Sequence, residues 1–464
     1  MSGSSLKQAF ELAVGEENVL DAEIDKHAYS YDAAVLEPVL PSLIVRPPSI
    51  EALGKTVKLC YEAGLPITVR GAGTNLSGGT IPIKGGIVLL TNALNKIIEI
   101  NKEDLYAVAE CGVITAKFAA AVAAQGLFYP PDPGSQAVST MGGNVAENAG
   151  GLRGLKYGVT KDYVMGVNFF SSEGDYIKSG SKTVKCVTGL NIAQLMVGSE
   201  GTIGVMSDIV FKLIPPPAAS RSMVAAFDDL MSACRAVSAM IASKVIPCTL
   251  ELMDNFTIRA VEGYAKVGLP TEAQALLLIE VDGHPGQVED EAAQVEKICK
   301  EQGVSRLQVA KDAAERDKVW EARRSALSAL ARLRPTTVLE DATVPRSKIP
   351  AMMQAVVDIA KKHNLTIGTF GHAGDGNLHP TILCDRRDKE EFARVEHAID
   401  DIFEAALSMN GTLSGEHGIG LAKAKYMENE TNRASVLFSR RIKAAGDPKN
   451  LLNPGKILGS PSHE

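Results

Sequence analysis

Three glycine clusters in the first half of the chain set the tightest limit on its fold: VRGAGTNLSGG (69–79), STMGGNVAENAGGLRGLKYG (139–158) and VGSEGTIG (197–204). Each follows or interrupts a strand-like run such as Pro66-Ile67-Thr68-Val69. Glycine at such points lets the backbone turn with φ > 0 and bring its N–H groups against a ligand. Several such loops together predict one long anionic ligand cradled by main chain. Two common phosphate-binding folds are excluded. A dinucleotide fold needs GxGxxG, whereas Gly71-Ala72-Gly73 is followed by Thr74-Asn75-Leu76. The P-loop pattern GxxxxGK[ST] does not occur.

At 464 residues the chain exceeds one ordinary core, so two or three domains are expected. Its 45% hydrophobic and 22% charged content is that of a soluble globular protein. A net charge of −7 and the lack of a basic run interleaved with aromatics argue against nucleic acid as a partner. No run of about 18 apolar residues occurs, and residues 1–20 read as an amphipathic helix without a signal core. Neither a membrane span nor an export signal is therefore expected. Seven cysteines without a CxxC fit neither an iron–sulfur ligand set nor a disulfide framework, which makes the cytoplasm the expected compartment.

After Pro215-Pro216-Pro217 the pattern changes to strands alternating with amphipathic helices. SMVAAF (222–227) precedes a helix near 228–243, CTLELMD (248–254) follows, ALLLIEVDG (275–283) precedes a helix near 286–303, and SRLQVA (305–310) comes next. This order predicts an α+β unit, an antiparallel sheet with helices on one face as in a ferredoxin-like fold. A long helical stretch over about 312–333 carries Trp320, Arg323 and Arg324. The two arginines point about 100° apart, so they cannot both face the pocket equally.

The stretch GTFGHAGDGNLHPTI (368–382) has two histidines around Asp375-Gly376, a strong two-residue hairpin signal. Such a loop pairs residue 374 with 377, 373 with 378 and 372 with 379. His372 and His379 then stand directly opposite, with Cβ atoms roughly 5 Å apart, within reach of one ion. Taken alone, the stretch fits equally a hairpin with two half-exposed histidines. Further on, GTLSGEHGIG (411–420) places Glu416 beside His417 in an extended segment, where neighbours project to opposite sides. His27, His284, His363, His397 and His463 read as surface residues.

The combination of motifs resembles flavoenzymes with a vanillyl-alcohol-oxidase type FAD domain. Within them it is similar to the group of glycolate oxidase catalytic subunits, FAD-linked D-lactate dehydrogenases and D-2-hydroxyglutarate dehydrogenases. The carriers are Arg70-Gly71-Ala72-Gly73-Thr74 with Ser77-Gly78-Gly79, Pro131-Asp132-Pro133, the run Thr140 to Gly151, Gly198 to Gly204, and Leu452-Asn453-Pro454-Gly455-Lys456. The resemblance implies a two-part FAD-binding domain over 1–218, a ferredoxin-like substrate or cap domain over 219–410, and a C-terminal segment over 411–464 that returns to the flavin. It assigns FAD contacts to Arg70, Gly71, Ala72, Gly73, Thr74, Asn75, Ser77 and Gly78 in the first loop. In the second they fall on Pro133, Gly134, Thr140, Gly142, Gly143, Asn144, Ala146, Glu147, Ala149, Gly150, Gly151, Tyr157 and Gly158. Glu200, Gly201, Ile203 and Asn453 complete the set. Relatives that bond FAD covalently through the first loop carry histidine where Thr74 stands, so the FAD here is expected to be non-covalent.

The same resemblance implies a divalent ion (Fe, Mn, Zn or Co) on His372, His379 and Glu416, with Arg323 gripping the substrate carboxylate through a bidentate fork. An ion chelated by the carboxylate and hydroxyl of a 2-hydroxy acid lowers the hydroxyl pKa. His417, with an ordinary pKa near 6.5, can then take the proton while hydride passes to flavin N5. The expected activity is oxidation of a small D-2-hydroxy acid, D-lactate first, with glycolate and D-2-hydroxyglutarate behind it. A flavin-holding electron-transfer subunit without its own turnover is the alternative. With no second redox carrier in the chain, the expected acceptor is a protein, an electron-transfer flavoprotein or an iron–sulfur subunit.

Overall fold

The computed structural model describes residues 3–459, so His463 lies outside it. The chain divides into two compact units, the first built from residues 1–149, 159–216 and 416–464, the second from 150–158 and 217–415. Residues 150–158, including Gly150, Gly151, Tyr157 and Gly158, thus sort with the second unit although sequence continuity ties them to the glycine cluster before them. Residues 411–415 likewise stay with the second unit.

The first unit holds two sheets. β1 (Val19–Leu20), β2 (Leu43–Val45), β3 (Ile67–Arg70) and β4 (Ile87–Leu90) align in the order β1-β2-β4-β3, with β2, β4 and β3 parallel. A parallel pair needs a crossover, and the helix Ile50–Ala63 provides it between β2 and β3. Ser49 caps its start by accepting from Ala52 N–H, left-handed Gly64 ends it, and Leu53, Val57 and Cys60 bury its apolar stripe. β4 is buried along its whole length, as expected for a strand covered on both faces. The second sheet is antiparallel, β5 (Ile97–Asn101), β6 (Tyr106–Glu110), β7 (Val164–Phe170), β8 (Tyr176–Gly180) and β9 (Val205–Lys212), ordered β5-β6-β9-β7-β8. In its core Tyr129 packs edge to face on Phe118 and Phe211, which are tilted against each other. The C-terminal segment lies along β3: Ile67 N–H donates to Leu451 O, and Asn453 N–H donates to Ile67 O, both at 2.7 Å.

The second unit opens with β10 (Ala219–Phe227), β11 (Thr249–Asp254), β12 (Ala275–Gly283) and β13 (Val304–Val309), with long helices over Leu230–Ala242 and Pro285–Glu301. They order as β13-β10-β12-β11, all antiparallel, which is the expected split β-α-β unit with one extra helix, Asn255–Ala265, between β11 and β12. The sheet then grows past β11 to eight strands by adding β14 (Thr336–Leu339), β15 (Ala342–Thr343), β16 (Thr366–His372) and β17 (Asn377–Cys384). The helical stretch before β14 is broken at Ser325 into Ala313–Arg324 and Ala326–Ala331. Trp320, Ala322 and Leu330 from these helices bury against Met253 and Phe370 of the sheet.

Candidate functional site

In the first unit the loop after β3 has an unusual polarity. Its carbonyls are tied into the protein: Asn75 O accepts from Ala33 N–H, and Ser77 O accepts from Leu421 and Ala422 N–H. Gly79 O takes Asn453 Nδ2 at 2.8 Å. Lys456 Nζ, buried, donates to Gly78 O at 2.7 Å, Gly79 O at 3.2 Å and Ile81 O at 2.6 Å. Among the described residues, the N–H groups of residues 72–79 donate to no protein acceptor, and the buried Ser77 hydroxyl meets no partner. A run of main-chain N–H groups without protein acceptors suits an anion such as a pyrophosphate. Gly73 is required by this shape, since its φ is +68° and a Cβ would strike the Arg70 guanidinium. Arg70 itself is held by Tyr31 O at 2.6 Å, and Asp32 fastens Asn75 Nδ2 at 2.7 Å.

The remaining sequence-predicted contacts of this unit divide by what they touch. Thr140 caps the helix Met141–Glu147 through Gly143 N–H, and Asn144 Nδ2 donates to Thr115 Oγ1 at 2.8 Å, so their polar groups organise the protein itself. Gly142 lies against Cys111. Ala146 O accepts from Glu200 N–H, Ala149 O from Thr160 N–H, and Pro133 O from Gln136 N–H. Gly134 is exposed, Thr74 and Ile203 are half-buried, and Gly201 turns with φ +71°. Glu200 receives Ile419 N–H at 2.7 Å and Gly420 N–H at 2.8 Å. Burial outweighs these two donors and pushes its carboxyl up to about 7. Burial, then the charges of Glu200 and Asp32, hold Glu147 well above the usual carboxylate range.

The second unit gathers its candidates on one sheet face. Met253 stands opposite Phe370, Phe370 opposite His379, and His372 opposite Asn377. Strand alternation therefore brings Glu251, Phe370, His372, Asn377 and His379 to the same side. The expected direct pairing of His372 with His379 is corrected here: the register is offset by two residues. Ala373–Asp375 wind into a 3-10 turn closed by left-handed Gly376, giving a four-residue loop in place of a two-residue one. The histidines meet as diagonal neighbours instead, with ring centroids 5.2 Å apart and planes at 89°. Both are buried.

Arg323 and Arg324 part as their helical spacing requires, the first buried and the second exposed. The Arg323 guanidinium lies over the Phe370 ring at 4.7 Å, and its Nε donates to Glu251 Oε2 at 2.5 Å; among the described residues this leaves the two Nη groups for a ligand. The other Glu251 oxygen, Oε1, is 2.6 Å from His372 Nδ1. Burial would raise the pKa of this fully enclosed carboxyl, but Arg323 and His372 overcome it and hold it at about 2. Sequence reasoning missed Glu251. It also missed Asp341, fully buried, which receives Asn377 Nδ2 and, at 2.7 Å, Ser414 Oγ. Tyr157 OH donates to Asp282 Oδ2 at 2.7 Å. Glu416 and His417 lie where the chain re-enters the first unit, with His417 Nε2 4.0 Å from Glu416 Oε1. Of the remaining histidines, His27, His284 and His397 are exposed, whereas His363 is half-buried against Asp401.

Profiles of known families match both halves: an FAD binding domain over residues 41–180 and the C-terminal domain of FAD linked oxidases over 216–457. Glycolate oxidase subunit GlcD of Bacillus subtilis is 48% identical over 444 residues, 96% of this chain and 94% of that protein. The chain belongs to the FAD-linked oxidases.

GlcD of Escherichia coli is 37% identical, covering 93% of this FAD-linked oxidase and 86% of its own length. D-lactate dehydrogenase of Anaerostipes hadrus is 33% identical, with 94% and 93% covered. Among solved structures, p-cresol methylhydroxylase superposes with a TM-score of 0.80 at 17% identity over 100% of this chain and 98% of that one, a likeness of fold alone. The expected resemblance to FAD-linked 2-hydroxyacid oxidoreductases therefore holds across the sequence, and the fold is one that p-cresol methylhydroxylase shares. The N–H groups of residues 72–79, without protein acceptors among the described residues, fit the pyrophosphate of the FAD that the family binds. Two buried imidazoles, one with Nδ1 fixed by a carboxylate, fit the donor chemistry of a divalent ion.

Proposed function

We propose that this FAD-linked oxidase oxidises a small D-2-hydroxy acid to the 2-oxo acid and passes the electrons to a protein acceptor. The observation that carries the reading is the buried Arg323, braced over Phe370 with its Nη groups left for a carboxylate, on the sheet face that also bears His372 and His379. Arg323 binds the substrate carboxylate as a fork. His372, His379 and Glu416 hold a divalent ion, and His417 accepts the proton of the substrate hydroxyl. Bound FAD supplies the two-electron acceptor for the C2 hydrogen, and the divalent ion supplies a Lewis acid. FAD is held without a covalent bond, because Thr74 offers no imidazole to the ring; denaturing the protein should release all of its flavin into the supernatant.

D-lactate is the substrate favoured from the sequence. The name of the 48% identical Bacillus subtilis relative supports glycolate beside it. That relative's description as a subunit supports a protein acceptor, with an electron-transfer flavoprotein ranked before an iron–sulfur subunit. Among the described residues, no helix is long and apolar enough to cross a membrane. The deciding experiment is turnover of D-lactate, L-lactate, glycolate and D-2-hydroxyglutarate by the FAD-loaded, metal-replete protein with a dye acceptor. Lack of turnover with every one of these acids would overturn the reading.

A further inference from the structure

Glu251 is a carboxylate with no exposure at all, set between Leu250 and Leu252 in the middle of β11. It has two oxygens and two cationic or imidazole partners, one for each: His372 Nδ1 at 2.6 Å on Oε1 and Arg323 Nε at 2.5 Å on Oε2. The partners come from different elements, the end of β16 and the end of the helix Ala313–Arg324. The cross-strand register explains how this arises: Leu252 pairs with Gly371, so Glu251 falls opposite His372.

A purely structural account is weak. Burying a carboxylate is costly, and replacing a buried ion pair by apolar side chains of similar volume is often neutral or stabilising. Leucines already fill the neighbouring positions of this strand. What an apolar residue cannot do is fix two orientations. A carboxylate on Nδ1 selects the tautomer that leaves Nε2 as the ligand atom and makes the imidazole a better donor. A carboxylate on Nε turns the guanidinium so that its Nη edge faces away from the sheet residue that anchors it.

We propose that Glu251 is a positioning residue that couples the metal side of the site to the carboxylate side, setting the His372 tautomer and the Arg323 fork with one side chain. This rests on the assignment of His372 and Arg323 given under Proposed function. The coupling has a definite consequence. A change at Glu251 must disturb metal affinity and substrate affinity together, whereas a change at Arg323 must disturb the second and largely spare the first.

The test uses the FAD-loaded full chain and Co²⁺ as the probe metal, titrated into metal-stripped protein and read by its visible d–d absorption. In parallel, KM and kcat are measured for whichever 2-hydroxy acid the wild type oxidises. Glu251→Gln keeps the shape but presents an NH₂ to one partner. It should weaken Co²⁺ binding by about 10- to 100-fold, the usual effect of losing a carboxylate behind a ligating histidine, and raise KM more than it lowers kcat. Arg323→Ala should raise KM while changing Co²⁺ affinity by less than about threefold. Glu251→Asp, one methylene shorter, should retain one of the two functions and lose the other, and it serves if Glu251→Gln does not fold. Unchanged Co²⁺ affinity and KM in either Glu251 variant would overturn the proposal, as would equal losses of FAD content and melting temperature accounting for both effects. A wild type that neither binds Co²⁺ nor oxidises any 2-hydroxy acid would instead defeat the assignment beneath it.

Discussion

Removing the ammonium of Lys456 tests whether the C-terminal segment presents the FAD cradle. Lys456 Nζ makes three bonds, to Gly78, Gly79 and Ile81 carbonyls. Charge-assisted bonds contribute roughly 1.5–3 kcal/mol each, so a simple sum would predict a loss large enough to unfold the unit. Two facts reduce it. Every one of the three carbonyls keeps a second donor: Ile81 N–H for Gly78 O, Asn453 Nδ2 for Gly79 O, and Ile83 N–H for Ile81 O. No acceptor is orphaned, and the further cost of about 1–3 kcal/mol for an unsatisfied buried group is not incurred. Burial also strains the ammonium, pushing its pKa down to about 8, and that cost disappears with the charge. The net loss expected for Lys456→Met is therefore about 2–3 kcal/mol, or roughly 4–10 °C in Tm. Because the loop then has to be ordered when FAD binds, the FAD dissociation constant should rise by about 10- to 100-fold, at 1.4 kcal/mol per factor of ten. Apoprotein titrated with FAD by flavin fluorescence, alongside a melting curve, measures both. A lowered Tm with an FAD affinity unchanged within twofold would refute the idea that this lysine holds the loop in its binding shape.

Glu147→Gln should gain on the wild type as pH rises. The unfolded chain ionises near pH 4.3 and folded Glu147 only at higher pH, so wild-type stability falls by about 1.4 kcal/mol per pH unit between the two values, a slope the amide lacks. Melting both proteins at pH 5, 6 and 7 checks this, and a constant difference would contradict it. His417→Ala should lower kcat by roughly 10²-fold and Arg323→Ala should mainly raise KM; a His417 variant altered only in KM would move the base elsewhere. Exhaustive chelation should abolish turnover while the flavin spectrum persists, with Mn²⁺, Fe²⁺, Zn²⁺ or Co²⁺ restoring activity; full activity of a metal-stripped His372→Ala, His379→Ala protein would remove the ion from the mechanism.

The parts legible in the sequence were those governed by local rules. Glycine clusters after strand-like runs announced left-handed turns such as those at Gly73 and Gly201, and the alternation of strands and helices after Pro217 announced the split β-α-β unit. Helical spacing separated Arg323 from Arg324. The hairpin register was misjudged because Asp375-Gly376 fits a two-residue turn by composition, while packing beside Val344 O selects the wider turn closed at Gly376. Glu251 left no trace for a different reason. Leu250-Glu251-Leu252 has the alternation of a half-exposed strand, yet β11 is buried on both faces along nearly its whole length. Its partners are 72 and 121 residues away in sequence, so only the pairing of β11 with β16 and the packing of the helix Ala313–Arg324 reveal them. Lys456 was visible as part of a motif, but its three carbonyl partners lie more than 370 residues earlier.

The C-terminal segment on β3 also bears on how the protein is made. β3 is the last strand of its sheet, and the hydrogen bonds of Leu451 and Asn453 to Ile67 cover its edge. An uncovered edge strand is a template for pairing with other chains. At roughly 5–20 residues per second, the ribosome needs on the order of tens of seconds to pass from Arg70 to Leu452. Throughout that interval the nascent chain carries an open strand edge with the whole second unit still emerging behind it. Recombinant yield should accordingly respond to slower growth temperature and to chaperone supply, and fragments ending before Leu451 should collect in inclusion bodies even when everything needed to cradle the flavin upstream is present.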